Sequence, residues 1–82
     1  MSSAKKIKVQ LDLEAIGRRI REIRGYDLTQ RDFGLQLGIA QNQVSMYEKG
    51  QSVPTLELLL KLKTFSGHTL DWIVTGETST PT

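Results

Sequence analysis

The stretch Thr29–Gly50, TQRDFGLQLGIAQNQVSMYEKG, decides the fold. It holds two short half-apolar segments joined through Gly38. Thr29 stands where a helix N-cap is wanted, and Leu28 and Phe33 occupy the two positions of a hydrophobic staple around it. Asp32 takes the capping-box position, where Glu or Gln would serve better. Phe33, Gly34 and Leu37 form one inward face, and Gly34 leaves room for close contact. Gly38 suits the left-handed position that stops a helix and turns the chain. The second helix is expected from about Gln41 to Lys49, with Ile39 and Val44 as its staple and Gln43 reaching back as in a capping box. Ala40 is a poor cap. Val44, Tyr47 and Glu48 are expected inward; Gln41, Asn42, Ser45, Met46 and Lys49 share the outer face. Gly50 ends this helix.

The flanking sequence completes the bundle. Leu13, Ile16, Ile20 and Ile23 recur at helical spacing after Asp12, a candidate N-cap, with Gly17 on the apolar side permitting another helix to approach. Arg18, Arg19 and Arg21 face elsewhere and read as a solvated face, with contact to a phosphate as the lesser alternative. Thr55 caps a helix carrying Leu56, Leu59, Leu60 and Leu62 that stops near Gly67. Thr69 caps a short helix with Leu70, Trp72, Ile73 and Val74, closed by Gly76. His68 reads as a packed loop residue. The expectation is an all-α, compact five-helix bundle in residues 12–76. Residues 1–11 form a basic N-terminal arm whose Ile7, Val9 and Leu11 alternate with polar residues, so that it is either flexible or a strand exchanged with a second copy. Residues 77–82 are polar and read as a tail or the start of a linker.

Composition narrows the function. The chain has 82 residues, 38% hydrophobic and 24% charged, which suits one small globular domain. It has no cysteine and one histidine, which argues against a thiolate or histidine metal site. No apolar run has the length of a membrane span, and MSSAKKIKVQ lacks the apolar core of a secretory signal, so the cytoplasm is the expected location. The net charge of +2 is mild, but Lys5, Lys6, Lys8, Arg18, Arg19, Arg21 and Arg24 crowd the first part of the chain, which suits an anionic partner. An enzyme is unexpected: Ser45 and His68 lack a third member, and neither a carboxylate pair nor a phosphate-binding loop is present. No cofactor, metal or small-molecule ligand is expected.

A helix, a tight glycine turn and a second helix with an outward polar face is a helix-turn-helix. A DNA major groove admits one such helix, and an amide side chain offers a donor and an acceptor to adenine. That gives Gln41, Asn42 and Gln43 a purpose at a helix start. One pairing follows from burial alone: Glu48 on the inner side of its helix needs a cation, and Arg24 stands at the inner edge of the first helix.

TQRDFGLQLGIAQNQVSMYEKG, with IGRRIREIR before it and QSVPTLELLLKLKTFSGHTLDWIVTGE after it, resembles the phage-repressor-type, or Xre/Cro, lambda-repressor-like helix-turn-helix family over roughly Leu13 to Glu77. The resemblance implies a dimeric, sequence-specific DNA-binding regulator, expected to be a repressor, bound to double-stranded DNA at an inverted repeat. Gln41, Asn42, Ser45 and Met46 would reach base edges. Thr29, Gln30, Gln43, Lys49 and Thr55 would contact the backbone, with Gln30 also buttressing Gln41. The family has an ion pair at the positions of Arg24 and Glu48. Its dimers often form through the last helix, which makes Trp72 and Ile73 candidates for that face. The link from Arg24 to Leu28 is one residue shorter than usual. Gly34 stands where alanine is common, Lys63 where a small apolar residue is usual, and Ser66 where a leucine is expected. Phe65 is expected to take over that core role, and outward Leu35 to mark a contact surface. The alternative is the same fold used as a protein-interaction module, adaptor- or coactivator-like.

Overall fold

The computed structural model describes residues 6–77. These form five helices: α1 Leu13–Arg24, α2 Gln30–Leu37, α3 Gln41–Glu48, α4 Leu56–Ser66 and α5 Leu70–Thr75. Among the described residues there is no strand, and Lys6–Leu11 is exposed and without regular structure. The rest of the arm, residues 1–5, and most of the tail, residues 78–82, lie outside the described residues.

Each helix starts on a side-chain cap except one. Asp12, Thr29, Thr55 and Thr69 accept from the backbone N–H of Ala15, Asp32, Leu58 and Trp72 at 3.0–3.1 Å. At α3 the cap is half made: Gln43 Oε1 accepts from Ala40 N–H at 3.1 Å, while Ala40 has no oxygen to return the bond. Gly38 closes α2 in the left-handed conformation, φ 73°.

The core is Ile16, Ile20, Phe33, Leu37, Val44, Leu58, Leu62 and Ile73. The sequence names leucines on α4 without assigning them a face, and the structure supplies one. Leu58 and Leu62, one turn apart, point inward, while Leu56 and Leu60 are 68% and 48% exposed. The leucine-rich run LELLLKL leaves the choice of face to packing. Phe65 departs from expectation: it stays 38% exposed and covers Phe33 edge-on, at 5.3 Å between ring centroids, rather than entering the core.

Two glycines set helix spacing. A Cβ on Gly17 would lie 2.5 Å from the Glu48 carbonyl oxygen and 2.6 Å from that of Tyr47, so α1 rests directly on the backbone of α3. A Cβ on Gly34 would lie 2.7 Å from the Ile39 carbonyl oxygen, so the turn folds tightly onto α2.

Candidate nucleic-acid interface

The orientation of α3 depends on a small polar cluster. Arg24 Nε and Nη2 donate to Glu48 Oε2 and Oε1 at 2.7 and 3.0 Å, and Arg24 Nη1 donates to the Leu28 carbonyl at 2.8 Å. The two side chains are 12% and 6% exposed. The bidentate fork fixes angle as well as distance. It ties α1 to the end of α3, where Gly17 already brings the two helices together.

Gln30 adds a third donor: its Nε2 bonds Glu48 Oε1 at 3.0 Å. The amide thus braces the ion pair, and no hydrogen bond joins Gln30 to Gln41 among the described residues, unlike the buttress the resemblance implies. The sequence hid this because a buried carboxylate demands a cation, and nothing in the pattern asks for a neutral amide beside it.

Gln41, Asn42 and Gln43 are exposed, Met46 is 39% exposed and Ser45 is half-buried. Val44 on the opposite side is buried, so the amides project from a helix whose other face is fixed in the core. Thr29, Thr55 and Gln43 use an oxygen as acceptor for a helix N-terminus. Their hydroxyl or amide hydrogens remain to donate outward, and donors are what phosphate oxygens require. Lys49 is exposed at the end of α3.

Three expectations need correction. Ile73 is 0% exposed, so its side chain belongs to the core and offers nothing to a dimer face; Trp72 keeps some surface and stacks on His68 at 3.8 Å between centroids. His68 is itself exposed rather than packed in a slot. Arg19 is no part of a solvated face: its Nε and Nη2 donate to the Ile73 and Val74 carbonyls at 2.8 and 3.0 Å, closing the end of α5.

A family model described as Helix-turn-helix matches residues 18–72. The chain belongs to this family. Its solved relatives include the P22 c2 repressor in complex with synthetic operator 9T, 27% identical, TM-score 0.69, covering 84% of this chain and all of that one. The restriction-modification controller protein C.AhdI from Aeromonas hydrophila is 30% identical, TM-score 0.66, covering 76% of this chain and 91% of that one. The clp gene regulator ClgR from C. glutamicum, 23% identical with TM-score 0.65 over 79% and 86% of the two chains, shares the fold. No curated protein matches. The helix-turn-helix protein is a DNA-binding transcription regulator and not an enzyme. No helix among the described residues is long and apolar enough to cross a membrane.

Proposed function

We propose that this helix-turn-helix protein binds an inverted-repeat operator as a homodimer and represses transcription by occupying the groove, in the cytoplasm. The observation that carries the reading is the exposed row Gln41, Asn42 and Gln43 at the start of a helix whose opposite face is locked by Val44 and the Arg24–Glu48 pair. Gln41 and Asn42 present donor–acceptor pairs to base edges, with Ser45 and Met46 beside them; Met46 suits a thymine methyl. Thr29, Gln30, Gln43, Lys49 and Thr55 hold the phosphates, and Gln30 also holds α3 through Glu48. Two subunits place their α3 helices about 34 Å apart. Trp72 is the remaining candidate for the dimer face near α5.

The test is selection from a random double-stranded pool, run beside Gln41→Ala/Asn42→Ala. Enrichment of an inverted repeat with half-sites about ten base pairs apart, lost in the double variant, supports the reading. Failure to enrich any motif favours the protein-interaction module, for which exposed Leu35 supplies a contact surface.

A further inference from the structure

The four arginines of α1 part company in the structure. Arg19 turns to α5, while Arg18 and Arg21 line a recess of about 680 Å³ together with Lys49, Tyr26 and the Gln30–Glu48–Arg24 cluster. The recess holds four cations, Arg18, Arg21, Arg24 and Lys49, against two carboxylates, Glu22 and Glu48. Glu48 is already occupied by Arg24 and Gln30, so the positive charge of the recess is offset mainly by Glu22. Arg21 is held in place: Nη1 donates to the Gly25 carbonyl at 3.0 Å, and the guanidinium lies 5.9 Å from the Tyr26 ring centroid. That bond uses one of the five N–H donors of the Arg21 guanidinium. Tyr26 is 98% exposed and presents its ring and hydroxyl beside that group.

From this we infer that Arg18, Arg21 and Tyr26 form a phosphate-binding shelf on α1, which continues the DNA backbone track past Gln30 and Lys49. The inference rests on the DNA-binding reading above. Gln30 and Lys49 belong both to that track and to the recess, so a strand that reaches them runs on against α1. The shelf reads no sequence, because it offers charge and hydroxyl donors to the backbone alone. It raises affinity for every duplex alike and sets how strongly binding depends on salt.

The experiment measures fluorescence anisotropy of the full chain on the selected operator and on a scrambled duplex over a salt series. Arg18→Gln/Arg21→Gln is compared with wild type, Arg18→Lys/Arg21→Lys, Lys63→Gln outside the recess, and Gln41→Ala/Asn42→Ala. Each lost phosphate contact lowers the salt slope by about 0.9, worth about eightfold in affinity at 0.1 M relative to 1 M salt. The expected result is equal weakening on both duplexes and a smaller slope for the Gln pair, with the Lys pair and Lys63→Gln close to wild type. An unchanged slope in the Gln pair, with operator preference still lost in Gln41→Ala/Asn42→Ala, overturns the shelf alone. Saturable binding of inorganic pyrophosphate to wild type, with DNA slopes unchanged in the Gln pair, makes the recess a free-anion site and overturns it too. If wild type binds no duplex, the DNA reading falls and the shelf with it.

Discussion

Replacing Gly17 with alanine separates local propensity from packing. In an isolated helix the change is worth about 1 kcal/mol in favour of alanine. Here the new Cβ would stand 2.5 and 2.6 Å from the carbonyl oxygens of Glu48 and Tyr47 and 2.8 Å from the Glu48 carbonyl carbon. All three are backbone atoms, so no side-chain rotation relieves the overlap, and α1 must move away from α3. Overpacking of this kind costs about 1–3 kcal/mol, which leaves a net loss of roughly 0–2 kcal/mol after the propensity gain. For a chain of this size that lowers Tm by up to roughly 16 °C. The displacement falls on Glu48, so the Arg24 fork and the aim of α3 shift together, and DNA affinity drops with stability. Thermal unfolding followed by circular dichroism, paired with operator binding, measures both. A Tm raised by several degrees with unchanged affinity refutes the direct contact of α1 and α3.

Three further outcomes are expected. Arg24→Met strands the 6% exposed Glu48 carboxylate and costs about 3–5 kcal/mol in urea unfolding, and adding Glu48→Gln recovers part of the loss; strictly additive effects contradict the coupling. Ala40→Ser completes the cap at α3, where the backbone already has the extended geometry, φ −75° and ψ 155°, and raises stability by about 0.5–1 kcal/mol; no gain means the N-terminal turn is already satisfied. Arg19→Met removes two donors from the end of α5 and costs about 1–2 kcal/mol, with faster amide exchange in α5 than in α2; equal protection in both counts against the anchor.

Local chemistry is legible in the sequence, and long-range choices are legible only where a charge demands its partner. The caps at Asp12, Thr29, Thr55 and Thr69 and the stop at Gly38 depend on neighbours within a few residues, and each is where the pattern places it. The Arg24–Glu48 pair is legible because a carboxylate on an inner face demands a cation. The face of α4 is not, because leucines at 56, 58, 59, 60 and 62 satisfy more than one helical stripe, and only packing against α1, α2 and α5 selects Leu58 and Leu62. Ile73 has the same ambiguity: an apolar residue in a terminal helix suits a core or a partner, and its burial decides for the core. The roles of Arg19 and Gln30 depend on contacts across 54 and 18 positions, which no local pattern carries.

Everything proposed for this protein depends on α3 reading bases through Gln41 and Asn42. Its most direct test exchanges each adenine of the selected half-site in turn for 7-deazaadenine, which lacks the N7 acceptor, and measures binding by wild type and by Gln41→Ala and Asn42→Ala. Base reading by α3 gives one adenine per amide at which wild type loses about 1–3 kcal/mol and the matching variant loses nothing further. Equal losses in wild type and both variants at every adenine would contradict it.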